Sequence, residues 1–256
     1  MTRALRVVQR NAWVYRRVWR GSVFFTFLQP TLFLLAMGVG LGGIIARGGT
    51  TFPGGVRFLD FLAPGLLAGA CMQTAGFESS FPILGKLIWQ HNYEAMTATP
   101  VRIVDLILGE LGWIAVRLAM VACAFTAVML AFGVPRSPLV VLAMAAAILT
   151  GLAFSAPIIA YAATLDNGVR FNAIFRFGIT PLFLFSGIFF PISRLPEVLQ
   201  RIAWVTPLFH GVELVRGLTL NTLESPAWLV HVSYLVIMMS AGIVAATHTF
   251  HRKLQP

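Results

Sequence analysis

The sequence predicts an all-α integral membrane protein. Six transmembrane helices are expected, with an N-terminal interfacial helix, a cytosolic helical segment between the second and third spans, and a re-entrant extracytosolic hairpin before the sixth. Three observations carry this reading. Of 256 residues, 58% are hydrophobic and 11% are charged, against about 25% charged in an average soluble protein. Apolar runs recur at close to the about 20 residues that cross a bilayer as a helix. Breaks containing Gly or Pro, ARGGTTFPGG, GVPRSP and LDNGVR, separate most of these runs. Such a composition excludes an ordinary cytosolic enzyme, a disordered chain and a disulfide-stapled secreted domain.

The chain reads as one transmembrane domain, 1–256, with spans at 23–45, 60–81, 106–131, 139–163, 171–190 and 227–247. No soluble domain interrupts them. The net charge is +10, from 19 basic and 9 acidic residues. In a membrane protein this excess reports orientation rather than nucleic-acid binding. With the N-terminus in the cytosol, that side holds 12 basic residues, Arg3, Arg6, Arg10, Arg16, Arg17, Arg20, Lys86, Arg102, Arg170, Arg176, Arg252 and Lys253. The opposite side holds 6: Arg47, Arg57, Arg136, Arg194, Arg201 and Arg216. Both termini are therefore expected in the cytosol. Cys71 and Cys123 fall inside apolar runs and read as small buried hydrophobes.

Residues 1–22 lack the uninterrupted apolar core of a signal peptide. At about 100° per residue, Met1, Leu5, Val8, Ala12, Tyr15 and Trp19 share one helical face. Arg3, Arg6, Arg10 and Arg17 gather opposite, which describes a basic amphipathic helix in the membrane interface. It serves as a lipid anchor or also touches a cytosolic partner.

Residues 84–98 carry Leu84, Ile88, Trp89, Tyr93 and Met96 at helical spacing. They form either an interfacial helix tucked under the bundle or a docking knob for a cytosolic protein. Thr99 and Pro100 read as the N-cap and first residue of the next helix. Residues 191–226 are too short for two spans and too apolar for a solvated loop. Pro196 and Pro207 each mark a short helix start. Val198, Leu199 and Ile202 give the first helix an apolar face, and Leu208, Val212 and Val215 the second, where Glu213 and Arg216 form an i,i+3 pair. The expected hairpin caps the bundle or lines and gates an exit path.

Charges within spans are costly and usually paired. Glu110 and Arg117 are two turns apart on one face, and Glu78 descends toward the same end. One intramembrane cluster of Glu78, Glu110 and Arg117 is therefore expected. Gly38 and Gly42 give one GxxxG, read as close helix packing. The chain has no GxxxxGK[ST] phosphate loop and no HExxH, so no ATP hydrolysis, catalytic residue or metal site is expected on it.

Three stretches, FLAPGLLAGACMQTAGFESSF (61–81), YEAMTATPVRIVDLILGELGW (93–113) and LFSGIFFPISRLPEVLQRIAWVTPLFHGVELVRGLTL (184–220), resemble the type-2 family of ABC transporter permeases. Within it they are similar to the nodulation lipo-oligosaccharide exporter permeases and related drug and lipid exporters. The resemblance implies six spans, a second permease subunit and a separate cytosolic ABC ATPase that binds ATP and magnesium, with no cofactor on this chain. It makes 84–98 a coupling helix and places Arg10, Arg17, Ile88, Trp89, Tyr93, Glu94, Met96 and Pro100 against the ATPase. It makes Phe190, Pro191, Pro207, His210 and Glu213 part of an exit gate. The chain has LDNGVRFN where that branch carries an aromatic, acidic run, so the substrate class stays open among lipids, lipo-oligosaccharides and drugs. The expected function is the permease subunit of an exporter in a bacterial plasma membrane. The alternatives are an integral membrane lipid-modifying enzyme and a secondary transporter.

Overall fold

The computed structural model describes residues 2–17, 19–47, 55–134, 137–223 and 226–254. Met1, Arg136 and parts of the first two Gly/Pro breaks lie outside these residues. Among those described, every regular element is helical. They are α1 (Thr2–Tyr15), α2 (Trp19–Ile45), α3 (Phe58–Glu78), α4 (residues 81–89), α5 (Asn92–Thr97), α6 (Ile103–Ala131), α7 (Val140–Ala162), α8 (residues 169–185), α9 (Glu197–Trp204), α10 (Pro207–Leu220) and α11 (Ala227–Leu254).

Among the described residues, five segments are long and apolar enough to cross a membrane: α2, α3 continued through α4, α6, α7 and α11. The expected span over 171–190 takes another form. Helix α8 stops at Phe185, and its middle, Ile174–Ile179, is wound as a π-helix. Pro181 has no N–H to offer the preceding turn. The Thr180 hydroxyl instead donates to the Phe175 carbonyl five residues back, at 2.8 Å. Residues 186–190 then leave the helix.

Helix α3 is the centre of the molecule. From Phe58 to Gly76 it is buried almost throughout, with Ala70, Gln73 and Thr74 half-buried. It packs against α6, α7 and α10, while α11 lies along α7. Helices α2 and α8 stay at the edge, and Phe24, Leu32, Leu35 and Val39 of α2 are exposed. Contact between α2 and α3 depends on Gly38, because Leu59 occupies the place its Cβ would take. Cys71 is buried, as expected, but Cys123 is exposed on α6.

Two helix starts differ from the sequence reading. Residues 84–98 are not one helix: α4 ends at Trp89, and His91 adopts a left-handed backbone, φ 49°, before α5 begins. Thr99 and Pro100 do not open α6. The Thr99 hydroxyl donates back to the Met96 carbonyl at 2.6 Å, and α6 begins at Ile103, where Asp105 accepts from the Arg102 N–H at 3.3 Å.

Candidate coupling face and exit gate

Helices α1, α4 and α5 meet the start of α6 at one end of the bundle, the basal end. Glu110 is the centre of this end and is almost fully buried. Its carboxylate accepts from Lys86 Nζ at 2.7 Å, from Asn11 Nδ2 at 3.0 Å and from the Tyr93 hydroxyl at 3.1 Å. One carboxylate thus joins α1, α4, α5 and α6. A buried carboxylate is tolerated when its charge is paired and its lone pairs are filled. The Tyr93 ring also meets Phe250 of α11 edge-on, with centroids 5.7 Å apart.

The expected cluster of Glu78, Glu110 and Arg117 is divided in two. Arg117 Nε donates to Glu78 Oε1 at 2.9 Å, and its guanidinium lies 4.6 Å from the Tyr15 ring centroid. Glu110 faces Lys86 instead. The two turns between Glu110 and Arg117 separate them along α6 by about 10 Å, and each finds a nearer partner.

Helix α1 docks along one edge of the expected apolar face, with Val8 and Tyr15 used and Leu5 not. Val7 and Asn11 are buried, whereas Leu5 is 63% exposed. Val7 stands opposite Gly109, Asn11 opposite Glu110, and Tyr15 beside Trp113 and Arg117. The two helices therefore run side by side in the same direction. Arg3 also donates to the Pro100 carbonyl.

Of the residues assigned to ATPase contact, Arg17, Trp89, Glu94 and Pro100 are exposed, and Arg10, Ile88 and Met96 are half-buried. Tyr93 is fully buried. Its hydroxyl is used internally by Glu110, so it is a structural support of this face rather than part of its surface.

The expected gate residues fall into two groups. Pro207 and His210 are buried at the start of α10, whose N-cap Thr206 accepts from the Phe209 N–H at 3.4 Å. His210 Nε2 is 2.9 Å from the Trp204 carbonyl, and its Nδ1 is 2.8 Å from His231 Nδ1. A carbonyl only accepts, so Nε2–H is the donor. Neutral His210 then accepts at Nδ1 from His231. Burial, followed by the neighbouring His231, pushes the His210 imidazole below its ordinary pKa. Glu213 faces elsewhere and accepts from Arg216 Nη1 at 2.9 Å. Arg216 also donates to the carbonyls of Gly187, at 2.7 Å, and Phe61, at 3.2 Å, and lies 3.8 Å from the Phe61 ring centroid. It thereby ties α10 to α3 and to the turn leading to Phe190, which is half-buried, and Pro191, which is buried. Among the described residues, His, Cys, Asp and Glu do not gather in threes.

A family model described as ABC-2 type transporter matches residues 3–220. The chain belongs to the ABC-2 type transporter family. Nodulation protein J of Rhizobium leguminosarum bv. trifolii is 31% identical over 218 residues, covering 84% of this chain and 80% of its own. Nodulation protein J of Rhizobium leguminosarum bv. viciae is 28% identical over 253 residues, covering 98% and 94%. The protein of the same name from Rhizobium meliloti (strain 1021) is 28% identical over 250 residues, covering 98% and 93%.

In this ABC-2 family permease, sequence reasoning missed Asn11, Lys86 and the anchoring role of Arg216. The first two had a signal: a polar residue on a docking face and one of only two lysines in an Arg-rich chain, each needing a buried partner. Gly109 had none until α1 was placed. A Cβ there would lie 2.6 Å from Val7 Cβ and 2.9 Å from the Ala4 carbonyl oxygen. Gly109→Leu is therefore expected to displace α1 at a cost of about 1–3 kcal/mol. Faster tryptic cleavage after Arg16 and Arg17 would report it, and unchanged cleavage would refute it.

Proposed function

We propose that the chain is the permease subunit of an ABC exporter in a bacterial plasma membrane, moving an amphipathic molecule out of the cytosol. A second permease subunit completes the pathway. A separate ATPase binds ATP and magnesium and docks on the basal end, which faces the cytosol with both termini. Helix α8 with residues 186–190 makes the remaining crossing, and α9 with α10 forms the re-entrant hairpin on the far side. The carrying observation is the Glu110 junction. It makes α1, α4, α5 and α6 one mechanical unit, so force applied at exposed Trp89 and Glu94 reaches a long membrane helix directly. Such a partner shifts the balance between two permease states only through contacts that differ between them.

Co-purification tests this reading. Tagged permease taken gently from its native membrane is expected to retain an ATPase subunit. Trp89→Ser with Glu94→Lys is expected to lose it while leaving the fold intact, since both side chains are exposed. Retention of the ATPase by the double variant would place the docking site elsewhere. A folded permease that never retains one would refute the exporter reading.

A further inference from the structure

The α9–α10 segment is fastened to α11 through two side chains one turn apart, His231 and Tyr234. His231 Nδ1 is 2.8 Å from His210 Nδ1, and the Tyr234 hydroxyl donates to the Val205 carbonyl. His210 passes the link on, since its Nε2–H is held by the Trp204 carbonyl at 2.9 Å. The Tyr234 ring stacks on the His210 ring with centroids 4.1 Å apart, and Trp204 meets the same ring edge-on at 5.4 Å. Beside the pair, α10 and α11 are not close-packed. A cavity of about 460 Å³ lies between them and α7, lined by Leu149, Leu214, Leu218, Leu223, Trp228 and Val232. Apolar packing is incomplete there, so the polar links carry more of the attachment.

The pair has little tolerance for added protons. With Nε2–H committed to Trp204, His210 accepts at Nδ1 from His231, and both rings are neutral. An added proton finds its lone pair at His231 Nε2. A second would place hydrogen on both facing nitrogens, and two cations would meet across the bond. His210 lies in the first turn of α10 and His231 close to the first turn of α11, so the positive ends of both helix dipoles oppose a charge. Burial already holds His210 below its ordinary pKa. Among the described residues of the packed elements, acidic groups have other partners. Glu213 of α10 accepts from Arg216, and Glu197 of α9 is exposed and faces Arg201. On α3, Asp60 pairs with Arg57 and Glu78 with Arg117. Helix α7 carries no charged residue, and the remaining basic groups of α11, His248, His251, Arg252 and Lys253, lie in its last two turns.

We infer that His210 and His231 form a proton-operated latch between the α9–α10 segment and α11, closed while both rings are neutral and released when the medium it faces turns acidic. A free imidazole titrates near pH ~6.5. A ring whose pKa is depressed in the closed form stabilises that form fully above this value, and the contribution fades as the pH falls below it. Each proton taken up only in the open form shifts the equilibrium about tenfold between pH 7.5 and 5.5. The latch takes up one or two, so opening increases about ten- to hundredfold over that range. The latch needs only this geometry; that it faces the extracytosolic side rests on the exporter reading.

Nitroxide labels at Val198→Cys on α9 and Ile237→Cys on α11 read the latch as a distance, since both positions are exposed. A Cys123→Ser background removes the exposed native thiol. Dilution of labelled with unlabelled full-length permease in phosphatidylcholine nanodiscs keeps the measured distances within one chain. One distance is expected to dominate at neutral pH. A second, longer one is expected to grow at least about tenfold relative to it between pH 7.5 and 5.5. His231→Gln keeps an amide donor for His210 Nδ1 and is expected to hold the closed distance with a weaker pH dependence. His210→Gln with His231→Gln is expected to show none. Thermal midpoints at neutral pH show that the variants fold; should the double variant misfold, wild type and His231→Gln decide. A wild-type distribution that does not change with pH overturns the latch. So does closure rather than opening in acid, or a pH response that survives in the double variant. The measurement contains no ATPase, so a working latch in a permease that never co-purifies with one leaves the latch standing and removes the exporter reading.

Discussion

Glu110→Gln is expected to destabilise the permease by about 3 kcal/mol, because breaking a buried ion pair leaves one charge without its partner. That charge is Lys86, whose side chain is 15% exposed. The amide keeps one acceptor, so Asn11 and Tyr93 must compete for it. The effect should spread beyond the substituted residue: α1 loosens from α6, and α5 loses the anchor beneath Tyr93. Thermal unfolding in detergent measures the stability, and tryptic cleavage after Arg16 and Arg17 measures the release of α1. Lys86→Met in the same chain removes the stranded charge and is expected to recover part of the loss. An unchanged midpoint in Glu110→Gln would show that the junction contributes no net stability.

Arg216→Met is expected to cost about 3 kcal/mol or more and to abolish transport. The substitution leaves the carbonyls of Gly187 and Phe61 without their donor, and hydrogen bonds to a charged group are worth about 1.5–3 kcal/mol each. Arg216→Lys should rescue little, since an ammonium lacks the planar fork that reaches several acceptors at once. Hydrogen exchange provides the decisive measurement. Protection should fall at residues 186–195, which the guanidinium holds against α3, and stay unchanged along α7. Loss of protection throughout the molecule would mean that Arg216 supports the whole fold rather than the junction between α10 and the turn.

Five of the spans were legible because their signal is additive: each apolar residue contributes to the run whatever its neighbours are. Pro207 likewise marked the start of α10 by its own backbone chemistry. What the sequence did not carry was the choice among partners. Helix α1 has apolar residues on more than one side, and periodicity favoured the side with Leu5. Gly109 and Gly112 of α6 accept Val7 and Val8, so Val8 docks from that side while Leu5 stays exposed. Glu110 was recognised as an intramembrane charge, but its partner could not be chosen by spacing. Lys86 lies on another helix, 24 residues earlier in the chain. Tyr93 read as surface for the same reason, since an amphipathic pattern does not reveal which polar group a tyrosine hydroxyl will reach.

The shared path of α1 and α6 makes the N-terminus a built-in pointer. Two helices joined over consecutive turns tilt together, so a probe on exposed Leu5 would follow the third long membrane segment without touching it. The same linkage works in reverse: a bulky fusion placed ahead of Thr2 applies its drag to α6.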